Sequence, residues 1–223
     1  MARTAARQQV SPKESRSGND RKPKAERWEE LLEAAAKIFY EKGYDATSIQ
    51  DIAERVNILK GSIYYYIQTK ADLRDHLLVE VHTNGIATMR RLAATEGTAL
   101  DKLAAMIRGH VEYMHRNRAK TTVYLHEVKK LSPAKRQELL GAENYRDVFD
   151  EMLELGQAEG LFLASLDPKQ AAQAILASLN SFYQWYRPNR ESQARVADYF
   201  VTTILRGHAS EAGLRLLETN PDL

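Results

Sequence analysis

The sequence predicts an all-α protein with a small N-terminal three-helix unit, built as a helix-turn-helix, followed by a larger helical domain. Three observations carry this reading. Among 223 residues there are only 6 prolines and 11 glycines, Ala, Leu, Glu, Lys and Arg are abundant, and no β-hairpin signal occurs. Apolar residues recur at i, i+3, i+4 and i+7 in one segment after another. Ser, Thr or Asp caps open these segments, and Gly or Pro closes them.

Composition narrows the class further. At 43% hydrophobic residues the chain can build one large core or two small ones, and two domains are expected. With no cysteine, disulfides, thiolate nucleophiles and cysteine metal sites are excluded. No run of about 18 apolar residues is present for a membrane span, and the N-terminus lacks the apolar stretch of a signal peptide. A soluble, cytoplasmic protein is the expectation. The net charge of +2 is unevenly spread. Residues 1–27 hold eight basic groups against three acidic ones, whereas residues 28–70 hold five against seven. The expected organisation is a disordered basic arm over 1–26, a helix-turn-helix unit over 27–72 and a second domain over 73–223. An arm that neutralises phosphates beside a module that sets register suits nucleic acid. Taken alone, a solubilising tail explains the arm equally well.

The elements follow in order. From Trp28, the residues Leu31, Leu32, Ala35, Ile38 and Phe39 make one apolar stripe, ended by Gly43. Thr47 with Gln50 reads as a capping box, and Ile49, Ile52, Ala53 and Val56 face one side of the helix that follows. Asn57–Lys60 make a turn. Gly61–Ile67 supplies about two turns of a second helix with Ile63 and Ile67 inward. Ser62, Tyr64, Tyr65 and Tyr66 then lie near the outer surface, bracketed by Lys60 and Lys70. Thr69 with Asp72 caps a connecting helix from Lys70 that carries Leu73, Leu77, Leu78 and Val81. Further helices are predicted over 99–117 and 119–131, from Pro133 to about Gly160, from Asp167-Pro168 to a stop at Pro188, and from Glu191 to about Gly207.

The segment from Pro168 to Tyr186 is apolar on nearly every side, which predicts burial all round, partly against a second subunit. With the ridge of Val196, Phe200, Thr203, Ile204 and Gly207, it predicts an intermolecular four-helix bundle, its interface carrying Phe182, Trp185, Val196, Phe200 and Ile204. A pocket between helices should be apolar with a few polar groups. Its candidates are His110, Tyr113, Tyr124, Glu127, Tyr145, Phe149, Met152, Asn180 and Tyr183. Asn180 and Glu127 stand out, because a polar group on an apolar helix must find a partner. A rival reading is a di-iron carboxylate enzyme, since Glu112 and His115 fit Glu-x-x-His. That architecture needs a second such motif, and the sequence has none. A helical adaptor that touches no DNA is the other alternative; it leaves Lys60, Tyr65 and Lys70 without a role.

The segment LLEAAAKIFYEKGYDATSIQDIAERV followed by KGSIYYYIQTKADL resembles the DNA-binding domain of the TetR family of bacterial transcriptional repressors over about 50 residues. The resemblance implies a homodimer on a double-stranded, palindromic operator, with an apolar effector lowering DNA affinity and with no cofactor, metal or membrane. It also implies that Thr47 and Tyr64 contact phosphates, that Lys60, Ser62 and Tyr65 lie at the major groove beside Gly61, and that Lys70 reaches a phosphate. Two positions depart from the family pattern: Ile67 replaces a phenylalanine, and Leu59 replaces a serine or threonine cap. Leu59 is then free to pack or to touch a thymine methyl. Gly160-Phe162, Asp167-Pro168 and Trp185-Tyr186-Arg187-Pro188 resemble elements of a subgroup that regulates fatty-acid and sterol catabolism and responds to acyl-CoA thioesters. That implies an acyl-CoA effector, with Arg187, Lys129 or Arg146 as partners for its pyrophosphate.

Overall fold

The computed structural model describes residues 23–188 and 190–220, and within them the chain is helical. The helices are α1 (Lys24–Lys42), α2 (Ile49–Arg55), α3 (Lys60–Ile63), α4 (Lys70–Ala93), α5 (Ala99–Arg116), α6 (Arg118–Glu127), α7 (Pro133–Leu140), α8 (Tyr145–Ala158), α9 (Pro168–Asn180), α10 (Phe182–Trp185), α11 (Gln193–His208) and α12 (Glu211–Thr219). Residues 1–22, which hold most of the basic arm, lie outside the described residues. Lys24, Ala25 and Glu26, assigned to that arm on sequence, belong to the first turn of α1.

Two hydrophobic cores form. The smaller one joins Leu31, Leu32, Ile38 and Phe39 of α1 to Ile52 and Ala53 of α2, to Ile63 and Ile67, and to Leu73 and Leu77 of α4. Val123 of α6 completes it. The N-terminal unit is therefore not closed by its own residues: a helix from the second half of the chain seals it. The larger core packs α5 against α4, α8, α9 and α11 around Leu103, Ile107, Phe149, Ile175 and Val201.

Several boundaries differ from the sequence reading, each for a local reason. The box that opens α2 is Ser48 with Asp51, not Thr47 with Gln50: Ser48 Oγ accepts the Asp51 amide, and Asp51 accepts the Ser48 amide at 2.7 Å. The expected two-turn helix after the turn is a single turn, α3, continued by turns through Tyr64–Tyr66. Consecutive aromatic residues favour helix weakly. The predicted helix from Pro133 to Gly160 is two helices, because Gly141 ends α7 with φ +76° and Asn144 with Asp147 caps α8 anew. The segment from Pro168 to Tyr186 breaks after Asn180. There Ser181 donates its hydroxyl to the Ser178 carbonyl at 2.7 Å and accepts the Trp185 indole N–H at 3.1 Å. Finally, α12 was not foreseen, although Ser210 caps it by accepting the Gly213 amide.

Candidate nucleic-acid interface and ligand cavity

The turn between α2 and α3 aims one short helix outward. Asn57 sits in the left-handed region at φ +54°, a conformation that asparagine tolerates better than most residues. The chain then reverses, with the Ile58 amide bonded to the Ala53 carbonyl at 3.0 Å. What emerges is a face of Leu59, Lys60, Gly61, Ser62, Tyr64 and Tyr65, all exposed. Leu59 is 80% exposed, Tyr64 50% and Tyr65 72%, so three large side chains stand out within one short segment. Ile63 and Ile67 anchor this face from below. Lys24, the last basic residue but one of the N-terminal run, places its ammonium 4.9 Å from the centre of the Tyr65 ring.

Two residues assigned to phosphates on resemblance point the other way. Thr47 is buried and donates its hydroxyl to the Gly43 carbonyl. Lys70 turns its ammonium onto the loop between α1 and α2, donating to the carbonyls of Thr47 at 2.6 Å and Tyr44 at 2.8 Å, over the Tyr44 ring. Both side chains are committed to holding the loop that carries α2. The exposed polar group beside them, which sequence reasoning passed over, is Ser48 at the N-terminus of α2. Its signal was present as a Ser-x-x-Asp spacing. Asp51 is held below the usual carboxylate range by the hydrogen bond from Lys42 and then by the Ser48 amide.

A cavity of about 410 Å³ opens among α4, α5, α6, α7, α8 and α9. Five of the pocket candidates in the sequence, His110, Tyr113, Tyr124, Tyr145 and Asn180, line it. Four others lie outside its lining. Phe149 and Met152 face the larger core, and Glu127 turns toward Lys130, which it meets at 2.7 Å. Tyr183 shares a hydrogen bond with His126. His82 and Gly85 of α4 line the cavity without having been foreseen, because each reads on sequence as a helix residue with no special context. At its mouth stand the exposed Arg136 and the half-exposed Arg146. Arg187 and Lys129, the other cations proposed for a pyrophosphate, are not in its wall.

Burial sets the electrostatics of the interior. It pushes Tyr113 up to about 12 and Tyr124 and Tyr145 upward as well, and it pulls His110 down to about 4, so these four side chains are uncharged near neutrality. His82 Nε2 donates to the Glu143 carbonyl at 3.0 Å, which leaves Nδ1 to accept the Tyr124 hydroxyl.

The cavity and the outward face are joined by α6. Thr121, Tyr124 and Leu125 line the cavity, while Val123 on the opposite side sits in the smaller core. Lys120 bridges Glu33 of α1 and Glu80 of α4 at 2.6 and 2.8 Å, and Lys130, just past α6, reaches Asp45.

The proposed subunit face also needs correction. Phe182, Val196, Phe200 and Ile204 are buried in the larger core of their own chain. What α9, α10 and α11 present outward is Trp185 and Tyr199, exposed among Ala174, Ser178, Thr203 and Gly207. Glu112, half of the Glu-x-x-His pair, is bonded along the helix to Arg116, and His115 packs edge-on against Tyr186.

Comparison with known proteins matches the chain in two parts. Residues 31–77 match the family described as bacterial regulatory proteins, tetR family, and residues 96–208 match the tetracyclin repressor-like C-terminal domain. The HTH-type transcriptional repressor KstR2 of Rhodococcus jostii is 28% identical over 195 residues, covering 86% of this chain and 96% of that protein. The fatty acid metabolism regulator protein of Bacillus subtilis is 25% identical over 160 residues, covering 71% and 82%. The structure of the ketosteroid transcriptional regulator KstR2 of Mycobacterium tuberculosis superimposes with a TM-score of 0.74 at 27% identity, over 83% of this chain and 96% of that one.

Proposed function

The chain belongs to the TetR family of bacterial regulatory proteins, and from that premise we propose that it is a dimeric transcriptional repressor whose DNA affinity falls when an apolar effector fills the cavity. One observation carries the reading: a single helix, α6, is at once a wall of the cavity and a member of the core that supports the outward face of α3. An effector that favours one placement of α6 and α4 shifts the protein between DNA-competent and DNA-incompetent states by its difference in affinity for the two.

In this reading Ser48 and Tyr64 meet phosphates, Leu59, Lys60, Ser62 and Tyr65 lie against the major groove, and Thr47 and Lys70 support them from behind. Two recognition helices about 34 to 36 Å apart read a pseudo-palindrome. The outward face around Trp185 and Tyr199 is the subunit contact, where small residues let helices approach closely. The protein acts by binding rather than by catalysis, and works in the cytoplasm. Its effector is of the acyl-CoA kind: the apolar interior takes the acyl part, and Arg136 and Arg146 at the mouth face the phosphates. Relatives named for ketosteroid regulation and fatty acid metabolism support this class.

The test is binding of the purified protein to DNA upstream of its own gene. Salt-sensitive binding of one dimer per palindrome, weakened by decanoyl-CoA or a longer homologue, is expected. Binding to no palindrome there at low salt would remove the regulator reading.

A further inference from the structure

The cavity contains two buried histidines, and they differ in one respect. Both ring nitrogens of His82 have partners, the Tyr124 hydroxyl and the Glu143 carbonyl. His110 has one: its Nδ1 lies 2.9 Å from the Tyr145 hydroxyl, and its Nε2, buried in the cavity wall, has no protein group within reach. His110 is only 5% exposed, so an unpaired nitrogen there carries a desolvation cost.

The pair has a definite hydrogen-bonding remainder. If Tyr145 donates its hydroxyl hydrogen to Nδ1, the neutral imidazole carries its own hydrogen on Nε2, and that N–H is left without an acceptor. If Nδ1 carries the hydrogen and donates to Tyr145, the phenolic O–H is left over instead, beside a bare Nε2. In either tautomer one donor hydrogen remains for something in the cavity. The arrangement is held in place from behind, since the Tyr145 ring lies on α4 where Gly85 has no side chain; a Cβ there would come within 3.1 Å of the ring.

We propose that the His110–Tyr145 pair reads one uncharged oxygen, a ketone or a hydroxyl, on the buried end of an otherwise apolar effector. This rests on the reading of the cavity as the effector site. A carboxylate suits this floor poorly. It would have to lie unpaired among apolar walls or draw a proton onto a buried imidazole, and the two cations of the lining are already engaged, Arg146 with Asp150 and Arg136 with the Val128 carbonyl. A ketone oxygen accepts the leftover hydrogen in both tautomers at no such cost. A hydroxyl does the same, and in the second tautomer it can also donate to Nε2. Discrimination of this kind is strong, because a ligand lacking the oxygen leaves the buried donor unpaired.

The probes are 2-decanone, 2-decanol and decanoate, titrated calorimetrically into the full-length dimer at pH 7. The wild type should bind the ketone and the alcohol more tightly than the carboxylate. His110→Phe should lose about 10-fold in ketone affinity while changing decanoate by less than about 2-fold, and His110→Gln, which keeps an amide N–H on a similar reach, should recover most of the ketone affinity. Tyr145→Phe keeps the ring on Gly85 and removes the hydroxyl, so it decides the matter if His110→Phe does not fold, again through a loss of ketone affinity. Tighter binding of decanoate than of ketone by the wild type, no binding of ketone or alcohol, or unchanged ketone affinity in both His110→Phe and Tyr145→Phe would overturn the proposal. Operator binding by the same wild-type preparation is scored separately: retained DNA binding with no ketone preference sinks only the floor assignment, whereas ketone preference without DNA binding sinks only the regulator reading.

Discussion

The recognition face and the cavity are built over very different distances along the chain. The face around α3 takes its shape from neighbours: Ser48 and Asp51 cap each other three residues apart, and Asn57 turns the chain in place. The cavity joins partners 35, 42 and 61 positions apart, His110 with Tyr145, His82 with Tyr124 and His82 with Glu143. Their surfaces differ in kind as well. The face exposes Leu59 and Tyr65, which await a partner, while the cavity buries polar rings at a desolvation cost that the rest of the core must offset. Local caps and the turn at Asn57 fix the shape of the face, while Val123 of α6 ties the unit to the rest of the chain; a cavity made of distant contacts cannot be altered without moving the helices that meet in it. That contrast is useful in a protein whose DNA-reading surface must stay rigid while its position shifts.

The largest expected effect separates the two regions by pH. His110 is neutral in the folded protein, pulled down to about 4 by burial from an ordinary value near 6.5. The folded state therefore binds fewer protons than the unfolded one between these values, and the stability is complete above about 6.5 and lost as pH falls toward 4. The full difference is about 3 kcal/mol. Chemical denaturation at pH 7.5 and pH 4.5 should show a fall in the wild type that is smaller by most of this amount in His110→Gln. An equal fall in both proteins would mean that His110 takes up its proton without opening the cavity. The shifted group beside the recognition face, Asp51, moves downward as a carboxylate, so its contribution is lost only at a lower pH than that of His110.

Lys70→Ala probes how local the N-terminal unit is. Its ammonium holds the carbonyls of Tyr44 and Thr47, 26 and 23 positions back, and so clamps the loop before α2 from a distance. Removing it leaves carbonyls without a charged donor and should cost about 2 kcal/mol, or roughly 4 to 8 °C in Tm. Weaker DNA binding should follow from the loosened loop. An unchanged Tm together with weaker DNA binding would instead mean that Lys70 reaches a phosphate directly, which the resemblance implied and the geometry does not favour.

How much of each region could be read in the sequence follows from the same contrast. The stripe from Leu31 to Phe39, the cap of Thr69 with Asp72, the proline start after Asp167 and the exposure of Tyr64 and Tyr65 depend on residues close together, and each is found as read. The errors arise where a local signal had a near competitor or where packing decided. Thr47 and Ser48 are adjacent hydroxyls, and only the backbone position shows that Ser48 is the cap while Thr47 turns inward. Phe200 and Ile204 lie on an apolar ridge that could face either a second subunit or the chain's own core, and periodicity does not distinguish them. Of the cavity residues, His110 and Tyr145 were reachable as polar groups on apolar helices, but that they meet each other, and that Gly85 makes room for them, depends on three helices that no spacing in the sequence relates.

Leu59→Ser gives the smallest expected change and the finest test of the recognition face. Leu59 occupies the cap position of α3, and no side chain there accepts an amide from the helix. A serine would supply that acceptor and should add about 1 kcal/mol to the stability of the module, since caps of this kind contribute on that scale. Leucine at 80% exposure buries little in the free protein, so its removal costs little. If leucine is there only by drift, Leu59→Ser should both stabilise the protein and bind DNA at least as well, through a new phosphate contact. If it touches a thymine methyl, the variant should be more stable but lose preference for that base pair, by a few-fold in a competition between operators differing only there. The opposed signs of the two readouts make the measurement decisive: a gain in stability accompanied by loss at a single base pair places Leu59 in the groove, and a gain in both leaves Tyr65 and Lys60 to read the sequence.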